Sequence, residues 1–194
     1  GGYLLTCDAT NSKAIQRLRF LKNRPTKPFA IMHHDIWIMA EDMDLHAGVM
    51  LVMQDPEAPI MLLKVNDDPY SGIKTEDIAP GLGQIGVMLP YTPLYSILLK
   101  KFGHPIIATS GNISNSPIVF QDKKAKKELS QIADYLLINN RGIVLPQDDS
   151  VVKFSVLKYQ KIILRRSRGM APTYVNPDLN IPDTRILAMG AMLK

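Results

Sequence analysis

At 194 residues, 46% of them apolar and 21% charged, the chain is long enough to bury a substantial core as one large domain or two small ones, and its composition excludes disorder. No apolar run reaches about 18 residues, which argues against a helical membrane span, and the opening Gly1-Gly2-Tyr3-Leu4-Leu5 lacks the order of a signal peptide. The lone Cys7 excludes an internal disulfide framework or a Cys-rich zinc site and fits a reducing cytoplasm, while a net charge of +5 favours an anionic partner, nucleotide or nucleic acid.

Residues 1–6 read as the end of a strand. Asp8 or Thr10 is placed to cap a helix over residues 11–23, with Ala14, Ile15, Leu18 and Leu21 as its apolar stripe. Pro25 and Pro28 stop that helix and stiffen the link into a strand over residues 29–32. Lys22, Arg24 and Lys27 thus fall on a rigid connector, where three cations can converge on a triphosphate; a solvated helix end would carry the same charges for the helix dipole alone.

Residues 35–54 hold two short helical patterns containing Trp37, Ile38, Val49, Met50 and Met53, with the methionines as core filler. His33, His34 and His46 have no ligand spacing, and no metal site is expected. Strands follow at residues 59–65 and 84–89, separated by a loop at 66–72 and an irregular stretch at 73–83. Thr92-Pro93 opens a helix in the preferred cap-then-proline order, and Gly103 closes it.

The next stretch, Pro105-Ile106-Ile107-Ala108-Thr109-Ser110-Gly111-Asn112, reads as a buried strand that delivers a polar turn to the edge of a sheet. Thr109, Ser110 and Asn112 present short donors and acceptors around bare backbone N–H groups, a nest suited to phosphate oxygens. An ordinary strand-ending turn uses the same residues for conformational reasons. Residues 122–132 form a charged helix whose Lys123, Lys124, Lys126 and Lys127 face solvent, a solvated face in preference to a nucleic-acid contact. Strands at 134–138, from Val151 and at 161–165 complete the set, the last running into Arg165-Arg166-Ser167-Arg168-Gly169. A proline-marked linker at 173–184 follows residues 1–172, and 185–194 begins a further strand. Strands and helices interleave without a regular βαβ period, so the expected fold is α/β (α+β), a twisted mixed sheet with flanking helices around a basic cavity. No G-x-G-x-x-G, Walker or G-x-S-x-G pattern is present, so phosphate binding would use another scaffold.

Four segments together, Lys22-x-Arg24-x-x-Lys27-Pro28, Thr109-Ser110-Gly111-Asn112, Asp149-Ser150-Val151-Val152 and Arg165-Arg166-Ser167-Arg168-Gly169, resemble the YrdC-like family. With Leu4-Leu5-Thr6-Cys7-Asp8-Ala9 and Val87-Met88-Leu89-Pro90-Tyr91-Thr92-Pro93-Leu94, they look like the YrdC-like domain of the HypF carbamoyltransferases of [NiFe]-hydrogenase maturation, over nearly all of residues 1–172. Residues 186–194 look like the opening of the carbamoyl-transfer domain that follows there. The resemblance implies that ATP and carbamate, supplied from carbamoyl phosphate, give carbamoyl-adenylate and pyrophosphate, with Mg²⁺ on the ATP. The carbamoyl group passes on to the partner HypE as a cyanide precursor.

Carried over by motif, Arg24 and Lys27 are catalytic and nucleotide-contacting, with Lys22 a third cation. Thr109, Ser110, Asn112 and Arg165 hold the nucleotide, and Arg166 and Arg168 compete for the last role. Ser150 and Ala108 line the small-substrate end. Threonine-using relatives, which make threonylcarbamoyl-adenylate for tRNA modification, carry an Arg where this chain has Met88 and a His where it has Met32. Without that guanidinium the bidentate clamp on an amino-acid carboxylate is gone, which suits plain carbamate. A threonylcarbamoyl-adenylate synthase and a non-catalytic RNA-binding module are the alternatives.

Overall fold

The computed structural model describes residues 1–113, 116–172 and 183. Among them, seven strands form one mixed sheet in the order β1-β5-β2-β4-β3-β6-β7. The strands are β1 (Leu4–Leu5), β2 (Ala30–Met32), β3 (Ile60–Leu63), β4 (Ile85–Met88), β5 (Ile106–Ser110), β6 (Val151–Phe154) and β7 (Lys161–Arg165). β2 runs parallel to β4 and β3 to β6; the other neighbours are antiparallel. The mixed sheet with flanking helices is as the sequence implies.

Register decides which side chains share a face. Ile107 pairs with Ile31, Ile31 with Val87, Val87 with Met61 and Met61 with Val152. This row of five large side chains is buried on one face, in the main core with Ile15 and Leu18 of α1 (Ser12–Lys22) and with α2 (Ile36–Asp42) and α3 (Ala47–Gln54). Side chains alternate along a strand, so the residues next to that row point to the opposite face. There, Met32, Met88 and Ala108 pack under Leu99 of α5 (Pro93–Phe102), with Tyr91 and Tyr95 against them. Ala108, Ala30, Gly86 and Leu62, paired in that order, continue the same face beyond the cover of α5.

α5 begins and ends as its sequence signals. The Thr92 hydroxyl accepts from the Tyr95 N–H, Pro93 opens the first turn, and Gly103 closes the last in the left-handed conformation at φ 78°. The α1 start differs. Asp8 and Thr10 bond to each other, Asp8 Oδ1 accepting from the Thr10 amide and hydroxyl, and Asn11 caps the helix instead. Lys22 is the last residue of α1 and not part of the connector; Asn23, at φ 51°, makes the break. The irregular 73–83 stretch contains one helical turn, α4 (Thr75–Ile78).

The charged helix α6 (Asp122–Glu128) is shorter than expected and ends in a 3-10 turn, Leu129–Gln131, with the four lysines exposed. Residues 134–138 form no strand: Tyr135 and Leu137 are exposed and the segment pairs with nothing in the sheet. Trp37 also lies outside the core, at 71% exposure, since α2 buries Met39 and Asp42 instead. Apart from Asp183, the expected linker at 173–184 and the strand after it lie outside the described residues.

Candidate nucleotide site

The stretch of sheet that α5 leaves uncovered is the floor of a cavity of about 580 Å³. Ala30, Gly86, Ala108, Ile60, Leu62 and Val151 make that floor, uncharged and mostly small. Gly86 matters here because a Cβ would stand 2.8 Å from Ile60 Cγ2 and 3.4 Å from Ala30 Cβ, so only glycine keeps this part of the floor flush with the backbone. Arg24, Lys27 and Arg165 enter from the rim with Thr109 and Ser110, and Asp148 and Asp149 stand on the β6 side. Cations, hydroxyls and an apolar platform therefore meet in one hollow, which suits an anion joined to a flat or small organic group.

Lys22, Ser110 and Asn112 meet through a hydrogen-bond network. Lys22 is 1% exposed, and its Nζ donates to the Ser110 carbonyl at 2.5 Å, the Asn112 carbonyl at 2.6 Å and Asn112 Oδ1 at 2.7 Å. Ser110 Oγ donates to the same Asn112 oxygen at 2.8 Å, and Asn112 Nδ2 donates to the Ser116 carbonyl. The turn after β5 is thus folded around an ammonium group. Lys22 lies behind the cavity wall, not on it, and Asn112 is spent on the same network.

Gly111 lets the turn sit against β1. Its N–H donates to the Tyr3 carbonyl at 2.6 Å, and a Cβ there would be 2.7 Å from that oxygen. Arg24 spans the gap between connector and turn, donating to Thr109 Oγ1 at 3.3 Å, to the Lys27 carbonyl at 3.2 Å and to the Pro28 carbonyl. Burial, then the charges of Arg19 and Arg165, pull its pKa down to about 10, which leaves it charged at neutral pH. A cation so placed is poorly hydrated and strengthened as an anion ligand.

At the opposite wall the Arg-rich segment separates into distinct jobs. Arg165 Nε donates to the Asp149 carbonyl at 2.8 Å and its Nη1 lies 3.8 Å from Asp148 Oδ2, at the cavity. Arg168 turns away: it donates to Asp149 Oδ1 at 2.7 Å and to the Glu57 and Ala58 carbonyls, with its guanidinium 3.8 Å over the Tyr91 ring. Arg166 lines a separate shallow hollow with Val52, Asp55 and Glu57. Of the three arginines, the cavity takes Arg165.

Ser150 is fully buried and does not line the cavity. Its Oγ accepts from the Ser167 N–H and donates to the Arg168 carbonyl, both at 2.9 Å, which fixes the arginine segment. Met32 and Met88 are fully buried beneath α5 and back the floor through Ala108. Phe29, which lines the cavity, and Arg19, which stands behind its rim, were passed over in the sequence reading. The α1 face that starts apolar at Ile15 and Leu18 continues with Arg19 and Lys22 at helical spacing, and all four are buried. That continuation was the available signal.

The chain matches the Sua5/YciO/YrdC family model, described as telomere recombination, over residues 1–167. It is 40% identical over its whole length to carbamoyltransferase HypF of Rhodobacter capsulatus, of which it covers 25%, and 40% identical to that of a Synechocystis species, of which it covers 24%. A full-length HypF crystallised in its phosphate- and nucleotide-bound form superposes with a TM-score of 0.82 at 38% identity, covering 89% of this chain and 26% of that one. The chain therefore spans about a quarter of the length of these relatives. No helix among the described residues is long and apolar enough to cross a membrane. With the mixed sheet, the ordered motifs and a match over 167 of its residues, the chain belongs to the Sua5/YciO/YrdC family.

Proposed function

We propose that the chain is the ATP-binding, carbamoyl-adenylate-forming domain of a HypF-type carbamoyltransferase, acting in the cytoplasm on carbamate derived from carbamoyl phosphate. The observation that carries this reading is the single cavity that gathers Arg24, Lys27, Arg165, Thr109 and Ser110 over an uncharged floor. The likeness of this chain to about a quarter of the HypF proteins, one of them solved with nucleotide and phosphate, supports it.

The reaction asks for alignment and charge stabilisation. A carbamate oxygen attacks the α-phosphorus of ATP, the new P–O bond forms, the bond to the β-phosphate bridging oxygen breaks, and pyrophosphate leaves with the electron pair. Negative charge grows on the α-phosphate oxygens and the leaving group, which is where guanidinium, ammonium and hydroxyl donors act. Arg24 and Lys27 take the phosphate chain from the connector and Arg165 from the facing wall. Ser110 and Thr109 orient the α-phosphate, while Lys22 and Asn112 fix the turn that presents them.

Mg²⁺ would arrive on the triphosphate. Among the described residues no group of three or more His, Cys, Asp or Glu side chains gathers as a metal site, but Asp148 and Asp149 stand at the cavity wall. One or two carboxylates completed by phosphates and water is the coordination Mg²⁺ usually takes in such sites. Carbamate has no side chain and no α-ammonium group to clamp, and the wall behind Ala108 is closed by Met32 and Met88. In the longer protein the carbamoyl group would pass onward to HypE.

The test is pyrophosphate release by the 194-residue chain from Mg·ATP with ammonium carbamate, with and without threonine. The expected result is release that depends on carbamate, ignores threonine and falls about 10²-fold in Arg24→Ala, the usual cost of losing one charge-stabilising donor. Threonine-stimulated release would move the chain to the tRNA-modifying reaction. RNA binding that survives Arg24→Ala, with no ATP bound in calorimetry, would leave only a binding module.

A further inference from the structure

Arg19 is 4% exposed, and its guanidinium donates to backbone carbonyls. Its Nη1 donates to the carbonyls of Arg24 at 2.9 Å, Lys27 at 3.1 Å and Pro25 at 3.3 Å. Its Nε and Nη2 donate to the Asp77 and Ile78 carbonyls in α4, at 2.8 and 2.9 Å. The guanidinium lies 4.5 Å over the Phe29 ring, and that of Arg24 lies 4.9 Å over the same ring. The Phe29 N–H in turn donates to the Ile78 carbonyl at 2.9 Å.

A cation in the last turn of a helix ordinarily serves its own helix, by meeting the last carbonyls or the negative end of the dipole. Arg19 instead joins two other segments: the connector that carries Arg24 and Lys27, and the end of α4. Its acceptors span four residues of a connector broken by two prolines, whose first N–H, that of Arg24, returns to the Arg19 carbonyl at 2.9 Å. A planar fork with donors on both edges reaches carbonyls on two separate segments at once; a lysine ammonium, a point donor, does not.

We propose that Arg19 is a positioning residue for phosphate binding. By holding the 24–27 carbonyls it turns the Arg24 and Lys27 side chains toward the cavity at the spacing a polyphosphate requires. This rests on the nucleotide reading of the cavity given above. A purely architectural arginine would support the whole domain and affect every ligand of the cavity alike. A positioning arginine affects the phosphate-dependent part of the affinity and leaves the nucleoside part alone.

The experiment compares ATP with adenosine by calorimetry on the unaltered chain, on Arg19→Lys and Arg19→Gln, and on Arg24→Ala. Unfolded molecules bind neither ligand, so loss of folded protein lowers both apparent affinities by one factor and cancels in their ratio. Titrating in trimethylamine N-oxide brings a marginal variant back to the folded state. The expected result is an ATP-over-adenosine preference that falls roughly tenfold or more in both Arg19 variants, in the range that misplacing a binding group by about an ångström produces. Adenosine affinity should stay within about twofold.

If Arg24→Ala collapses the preference while both Arg19 variants keep it, the positioning role is wrong and the nucleotide site stands. An unaltered chain that binds ATP no better than adenosine overturns the phosphate reading and the role of Arg19 with it. Equal weakening of both ligands by the Arg19 variants, beyond their unfolded fraction, also overturns the role, because it marks a general effect on the cavity.

Discussion

On the α1 side of the cavity, the residues that hold the rim are buried cations donating to backbone oxygens. Lys22 closes the β5 turn and Arg19 closes the connector, each donating to carbonyl or amide oxygens. On the β6–β7 side the corresponding arginine, Arg168, is tied to the Asp149 carboxylate and stacks on Tyr91 as well as donating to carbonyls. The second wall thus holds its inner cation with a carboxylate as well as with backbone oxygens. Each wall sets an inner cation behind an outer one, and the two outer ones, Arg24 and Arg165, face the same hollow.

The largest effect that would test this contrast is Lys22→Met. The methionine keeps the stem in its buried slot but leaves two carbonyls and the Asn112 side-chain oxygen without their ammonium donor. Each lost bond to a charged group weighs about 1.5–3 kcal/mol, and part of the turn will reach water instead, so the expected loss is on the order of 3 kcal/mol. A fall in the urea midpoint at unchanged slope would measure it. ATP affinity should fall well beyond tenfold, because Ser110 and Thr109 lose their orientation with the turn. A stable Lys22→Met chain with normal ATP binding would show that the ammonium does not organise the wall.

Arg168→Met makes the matching cut on the other side, at about 2 kcal/mol. The Asp149 carboxylate, its side chain 17% exposed, would lose its guanidinium, and two carbonyls would lose a donor. ATP affinity should change less than tenfold, since Arg165 keeps its own bond to the Asp149 carbonyl. The two variants together sharpen the contrast: both lose stability, but only the α1-side cut also removes most of the nucleotide affinity.

Gly111→Ala probes the contact between the β5 turn and β1 without touching a charge. The added Cβ would meet the Tyr3 carbonyl oxygen at 2.7 Å and its carbon at 3.0 Å, both backbone atoms that cannot swing aside. Overpacking of this kind costs about 1–3 kcal/mol. The lower half of that range is expected, because β1 is a two-residue edge strand that can shift. A thermal melt would show it as a lower midpoint.

How much of this could be read from the chain follows the length scale of each interaction. α5 was legible to the residue because its cap, first-turn proline and closing glycine act within one helix. β7 was legible for a similar reason, as three apolar residues, Ile162 to Leu164, set between two cations and bounded by loops. The cavity was legible as a set of motifs, because cations, hydroxyls and a glycine recur in short fixed groups, and Arg24, Lys27, Ser110 and Arg165 do meet there. What the motifs could not convey was depth. Lys22 and Arg24 lie two residues apart, yet one ends a helix face pointing inward and the other begins a connector. Ser150 and Arg168 belong to equally plausible motifs, but Ser150 donates to backbone and Arg168 to the Asp149 carboxylate and to backbone far along the chain at Glu57 and Ala58. The strand expected at 134–138 failed: the segment lines a hollow beside β1 but forms no ladder with it, and its Tyr135 and Leu137 stay exposed.

The smallest predicted effect lies at the one contact where the second wall meets the cavity. Asp148 and Arg165 are 3.8 Å apart, with side chains 31% and 36% exposed, so the pair is screened by solvent and contributes little to folding. Asp148→Asn should therefore move stability by less than about 0.5 kcal/mol. Binding is where it should register. Without Mg²⁺, ATP carries its full negative charge into a rim that includes this carboxylate, and removing it should tighten binding a few-fold, an effect that weakens as salt is raised. With Mg²⁺ present, a carboxylate at the wall can share the ion with the phosphates, so the same substitution should bring less gain or a loss. Titrations of Asp148→Asn with ATP in chelator and in Mg²⁺ separate the two contributions, and equal gains in both would mean that Asp148 only opposes the phosphates and never meets their metal.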